Sequence, residues 1–327
     1  MNKRSTRFDL QRLLTAKSPG AQALWGLSLL LLILGVVSCL SSRPLILIYP
    51  NANPVLATQR HGGLFLTTAQ VADREVGPFI LDTGASDVVL DAALAETLFP
   101  GVARAAVSSP PQVRRGVVTT GRSARFVTTV KVGPLILQDI TVALRDLSAA
   151  SRPFGRPLAG LLGYPFFARV VLEVDYARGT VACFDPRTYR LPSGDWLPLV
   201  FQANRPVLPA RLEGDLLGHF LLDTGSNQTV LFYPDFVQAH RLQDARSTEK
   251  REAMTVDGPR DHLVTRLAWF EVAGIRFDQP MVFFAPPAAP GPPGLAGIIG
   301  AGFLHRFTVI FNYSESKIAL LPNEPGR

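Results

Sequence analysis

Apolar and polar residues alternate with a period of two through much of this chain, the pattern of half-buried strands and not of long helices. "GLFLTTAQV" (Gly63 to Val71) and "PVLPARLEG" (Pro206 to Gly214) read as strands. Each leads into a second apolar run, "FILDTGA" (Phe79 to Ala85) and "FLLDTGS" (Phe220 to Ser226), that breaks at Asp-Thr-Gly. Short helices are predicted next, over Asp91 to Leu98 and Tyr233 to His240. Glycine-bearing hairpins follow in "GVVTTGRSARF" (Gly116 to Phe126) and "MTVDGPRDHLV" (Met254 to Val264). The prediction is a mainly β protein.

These elements occur twice, in one order and at one spacing. Asp82 and Asp223 are 141 positions apart. "LAGLLGYPFF" (Leu158 to Phe167) and "LAGIIGAGFL" (Leu295 to Leu304) are offset by 137. Downstream, "RVVLEVDYARGTVACF" (Arg169 to Phe184) and "RFTVIFNYSESKIALL" (Arg306 to Leu321) both read as strand, turn, strand. Such a repeat marks a duplicated domain, and its halves are expected at residues 43–192 and 193–327. They meet in the turn-rich stretch Asp185 to Leu199. Pro286 to Gly294 and its counterpart Ala150 to Leu158 are expected to be surface loops.

Composition fits this outline. Of 327 residues 47% are hydrophobic and 18% charged, enough for a sizeable core, and 27 Pro with 27 Gly favour turns. The formal charge of +7 is concentrated at the start, where Lys3, Arg4, Arg7, Arg12 and Lys17 against Asp9 leave +4. That distribution reads as a topology signal and not as a nucleic-acid footprint. No charge occurs from Ser18 to Ser42, and Ala23 to Leu40 is strongly apolar, close to the roughly 20 residues that span a bilayer. Residues 1–42 therefore read as a basic segment plus a single-pass anchor through residues 21–40. The N-terminus would be cytoplasmic and the remainder periplasmic or extracellular. Two alternatives stay open: a lipoprotein whose first mature residue is Cys39, since "VVSC" resembles a lipobox, and ordinary signal cleavage. Cys183, the other cysteine, reads as a small buried hydrophobe.

One Asp-Thr-Gly turn says little, because all three residues are common near turns. Two of them in a duplicated domain imply facing carboxylates, if a pseudo-twofold axis relates the copies. Like charges at such range share one proton, so one carboxylate can act as base toward water while the other donates to a carbonyl. Neither copy supplies both roles.

At these residues the sequence resembles the aspartic peptidases of the retropepsin-like and pepsin-like group. The motif is two apolar residues, Asp-Thr-Gly and a small residue ("ILDTGAS", "LLDTGSN"), with a later apolar-apolar-Gly ("LLG" at Leu161 to Gly163, "IIG" at Ile298 to Gly300). The resemblance implies a duplicated acid-protease barrel of two pseudo-twofold lobes, a peptide or protein substrate, hydrolysis without metal or other cofactor, and a monomeric catalytic unit. Asp82 and Asp223 would be the dyad. Thr83 and Thr224 would brace the turns, Gly84 and Gly225 would supply positive φ, and Ser86 and Asn227 would orient the outer carboxylate oxygens. A hydroxyl at Ser226, where the first copy has Ala85, would bias the charge toward Asp223. Thr120, Gly121, Asp257 and Gly258 are the candidate flap residues, arranged like a retropepsin dimer fused into one chain. A catalytically silent module that holds extended peptides is the alternative reading.

Other chemistries find no support in the sequence. The five histidines show no ligand spacing, and there is no HExxH, no G-x-S-x-G and no phosphate loop. Arg114, Arg115, Arg122 and Arg125 near the first hairpin read as solvated side chains, with a preference for acidic substrates as the alternative.

Overall fold

The apolar alternation becomes strand almost wherever it occurs. The computed structural model describes residues 46–48, 53–102, 113–114, 117–120, 123–244, 246–255 and 258–323. The predicted strands span Leu64–Val71 and Arg205–Leu212, and each pairs antiparallel with the strand ending at the Asp-Thr-Gly turn, Arg74–Leu81 and Leu216–Asp223. In Leu64–Val71 the first four residues are buried on both faces of the strand. The alternation predicted for a half-buried strand holds from Thr68 to Val71, where Ala69 and Val71 are buried.

The predicted helices form at Ala92–Leu98 and Pro234–Ala239. Asp91 caps the first by accepting the Ala93 and Leu94 amides, and Pro234 occupies the first turn of the second, where no amide is missed. One expectation fails. Ala150 to Leu158 is not a plain loop, since Ser148–Ser151 forms a helical turn that continues into a 3-10 turn at Arg152–Phe154. The Ser151 hydroxyl bonds the Leu147 carbonyl, a local bond that the Pro and Gly content of this stretch conceals.

Among the described residues each repeat forms a ten-stranded sheet, and a five-stranded sheet joins them. That third sheet takes Val171–Asp175 and Thr180–Phe184 from the first repeat and Phe307–Asn312 and Lys317–Pro322 from the second. Val171–Asp175 lies antiparallel to its own counterpart Phe307–Asn312, so the repeats are joined by backbone hydrogen bonds and not only by a linker. Leu197–Pro198, from the stretch between the repeats, pairs with Lys317–Pro322 at the sheet edge. Phe167, Phe201, Phe311 and Tyr313 stack across the junction, with Tyr313 4.7 Å from Phe201 and 5.5 Å from Phe167 between ring centroids. Cys183 is buried and free.

Among the described residues no helix is long and apolar enough to cross a membrane. The apolar segment at residues 21–40 and Cys39 lie outside the described residues.

Candidate functional site

Each Asp-Thr-Gly turn is held from behind by the later glycine motif. Gly160–Leu162 inserts parallel to Arg74–Leu81 and antiparallel to Val88–Asp91. Gly297–Gly300 repeats this between Leu216–Asp223 and Val230–Phe232. The glycines closing these strands allow the turn to pack against them. A Cβ on Gly163 would lie 2.2 Å from the Asp87 carbonyl oxygen, and one on Gly300 2.4 Å from that of Gln228. The turns are also hydrogen-bonded to the segment after the glycine: Tyr164 N donates to Ala85 O, and Ala301 N to Ser226 O.

The two turns interlock. Thr83 N donates to Thr224 Oγ1 (3.1 Å) and Thr224 N to Thr83 Oγ1 (3.0 Å). The hydroxyls donate onward to the Leu222 and Leu81 carbonyls, both at 2.7 Å. Both threonines are buried, so every polar atom in this crossing finds a partner away from water.

Asp82 and Asp223 thereby meet at the floor of a cleft. A Cβ on Gly84 would lie 2.6 Å from Asp223 Cγ, and one on Gly225 2.6 Å from Asp82 Cγ. This replaces the expected reason for those glycines. Neither is among the residues with positive φ, and glycine is required because the opposite carboxylate passes too close for a side chain.

The carboxylates differ in proton affinity. Asp82 is raised well above the ordinary carboxyl value, first by burial and then by the charge and hydrogen bond of Asp223, against the Gly84 and Ala85 amides. Asp223 is also raised by burial, but the Gly225 amide, Asp82, the nearby Arg205 charge and the Ser226 amide all pull it down. Burial raises both members of this coupled pair, so the two carboxyls hold a proton between them. Backbone amides act on both acids alike, Gly84 and Ala85 on Asp82 and Gly225 and Ser226 on Asp223, whereas the Arg205 charge lowers Asp223 alone.

The outer positions also depart from expectation. Ser86 Oγ donates to Asp87 Oδ2 (2.9 Å), which also takes Arg125 Nη2 (3.0 Å), so Ser86 serves a neighbouring ion pair and not the dyad. Asn227 Oδ1 accepts the Gly63 amide at 2.8 Å and ties the second turn to the first lobe. The next residue in the chain, Asp87, takes Ser86, and a facing backbone amide 164 positions away takes Asn227. Arg125 is held by Asp87 and is not a simply solvated residue.

Of the flap candidates, Gly121 and Asp257 lie outside the described residues. Thr120 ends the strand Val117–Thr120, whose partner is Ser123–Val132, and Gly258 opens Gly258–Arg266 with φ +115°. The second hairpin, Glu249–Thr255 with Gly258–Arg266, reaches across the cleft, where Gly258 comes beside Ala149 of the first lobe. Within this hairpin His262 is buried and its Nδ1 faces the Arg260 carbonyl at 3.0 Å; burial lowers its pKa.

The dyad divides the cleft into two cavities. One of about 730 Å³ contains Asp82, Asp223, Ser86, Asp87, Arg125 and Arg205. The other, about 250 Å³, contains both aspartates with His61, Leu64, Phe154, Leu231 and His262. Arg205 and His262 escape motif reading. Aligning the repeats at the 141-residue offset would have set Arg205 against Leu64, the one signal in the sequence for it. Among the described residues no group of three acidic, histidine or cysteine side chains could hold a metal ion.

Two β lobes, an interlocked pair of turns and a cleft floored by two carboxylates define a two-lobed, aspartyl-protease-like fold. The family comparison is more specific: the aspartyl protease family model matches residues 67–166 and again 208–303, and the chain belongs to this family. No curated protein matches it in sequence.

Proposed function

We propose that this protein is an aspartic endopeptidase of the retropepsin-like or pepsin-like group, with Asp82 and Asp223 as its catalytic dyad. The observation that carries the reading is the reciprocal placement of each carboxylate over the other lobe's glycine, with burial raising both acids as one coupled pair. The ionised Asp223 takes a proton from water as its oxygen attacks the scissile carbonyl carbon. Protonated Asp82 donates its proton to the carbonyl oxygen, and the resulting gem-diol collapses with a proton passing to the leaving amine. Hairpins in both repeats favour a retropepsin-like arrangement of lids.

Residues 21–40 tether the protein in the membrane, with the catalytic part outside the cytoplasm; the uncharged run and its basic flank support this. The test is a peptide library incubated with the detergent-solubilised full chain between pH 3 and 8. Cleavage inside peptides, abolished by Asp82→Asn, is expected. Binding without cleavage at every pH would favour the silent peptide-holding module. Protease accessibility of the catalytic part in intact cells and spheroplasts tests the topology.

A further inference from the structure

The two cavities beside the dyad are built from equivalent strands, yet their charges differ, with Asp87 against Gln228 and Arg205 against Leu64 at the same offset. Leu64 opens Leu64–Val71 and Arg205 opens Arg205–Leu212, and the registers correspond: Leu66 opposes Ile80 as Val207 opposes Leu221. Leu64 faces the smaller cavity and Arg205 the larger, each alongside both aspartates. The substitution is not a surface detail. Arg205 is partly buried, its Nε is buried without a hydrogen bond, and among the described residues it forms no ion pair.

The remaining charges of the larger cavity are already engaged. Asp87 takes Ser86 and Arg125, and Arg125 keeps an unbonded Nε while its charge is met by Asp87. Asp146 accepts the Ser148 amide at 2.9 Å, and Arg145 has an interaction of its own. Tyr233 and the charge shared by the dyad are the other groups facing Arg205. A guanidinium with unfilled donors at the wall of a cleft is a site shaped for an arriving carboxylate, which its planar fork can grip with two hydrogen bonds.

We propose that Arg205 is a specificity-determining residue that receives an Asp or Glu side chain of the substrate in the larger cavity, while the Leu64 side of the cleft receives an apolar one. Ile80, Phe154, Leu161, Leu231 and Ile298 make the smaller cavity suited to that second side chain. This deepens the endopeptidase reading and rests on it. A single chain can do what two identical subunits cannot, because its halves carry different residues at one position.

The test uses the full chain in detergent and internally quenched peptides that differ only at one position flanking the cleaved bond: Glu, Gln or Leu. At one such position the wild type should cleave the Glu peptide about tenfold or more faster in kcat/KM than the Gln peptide, the size of a charge-assisted hydrogen bond. Arg205→Leu should bring that ratio to within about twofold of unity and improve the Leu peptide, whereas Arg205→Lys should keep part of the preference. The preference should fade below about pH 4, where a peptide Glu is protonated, a change that a purely structural role would not produce. An unchanged Glu-to-Gln ratio in Arg205→Leu overturns the proposal. If the wild type cleaves nothing, the endopeptidase reading fails. Fluorescence polarisation of the same labelled peptides on Asp82→Asn protein then decides the subsite: equal affinity for Glu and Gln, or a difference that survives Arg205→Leu, overturns it.

Discussion

The first Asp-Thr-Gly turn and the second are the same object in their centre and different objects at their edge. Thr83 and Thr224 donate and accept in mirrored fashion, and Gly84 and Gly225 each sit under the other lobe's carboxylate at one distance. One residue outward the likeness ends. Ser86 serves the Asp87–Arg125 pair, Asn227 reaches the other lobe at Gly63, and Arg205 stands where the first lobe has Leu64. What the lobes share holds two acids together. What they do not share surrounds those acids with different charges.

The strongest way to break this comparison is to remove one acid at a time. Asp82→Asn and Asp223→Asn are each expected to lower kcat by about 10²–10⁴-fold, since neither lobe alone supplies acid and base. Peptide hydrolysis that survives in either variant would mean the lobes are not halves of one site. Asp82→Asn also reads stability. Its folded carboxyl is raised above the unfolded value of 3.8, so its contribution is fully present below that pH and is lost as pH rises through the folded value. At neutral pH the buried pair is a liability, and the Asn variant should melt higher than wild type. That gain should vanish toward pH 3; a constant offset in Tm across pH would argue against it.

Symmetry of the scaffold is tested by paired substitutions. Gly84→Ala and Gly225→Ala each push a methyl into the opposite carboxylate and should cost about 1–3 kcal/mol, nearly the same in both lobes, by urea unfolding. Thr83→Val and Thr224→Val strip a buried amide and a buried carbonyl of their partner, for about 1–3 kcal/mol each, again alike. Two members of a pair that differ by much more than 1 kcal/mol would show that the crossing is not mirrored. The smallest effect belongs to the edge. Asn227→Ala should cost about 1 kcal/mol through the lost bond to Gly63. Ser226→Ala should leave the pH–rate profile where it is, because Asp223 takes the Ser226 backbone amide, which alanine keeps.

The sequence carried the scaffold with little loss. Alternation gave the strands, Asp91 and Pro234 gave the helix starts, and the 141-residue repeat gave the duplication. It did less well wherever a side chain had a choice of partner. Ser86 and Asn227 could each have turned to the dyad. Ser86 bonds its chain neighbour Asp87, which Arg125 also holds, and Asn227 bonds the Gly63 amide that the fold brings across 164 positions. The Ala150 to Leu158 stretch hid a helical turn stabilised by the Ser151 hydroxyl, a bond that no periodicity announces.

By itself, then, the sequence determined a doubled β protein with two acidic turns, because strand period and turn chemistry are local and each residue declares them alone. Only the tertiary structure decided why glycine follows each Asp-Thr, that the two acids form one buried pair, and where Arg205 stands. Those depend on atoms about 140 positions apart in the chain meeting across a pseudo-twofold axis, and distance along the chain carries no record of such a meeting.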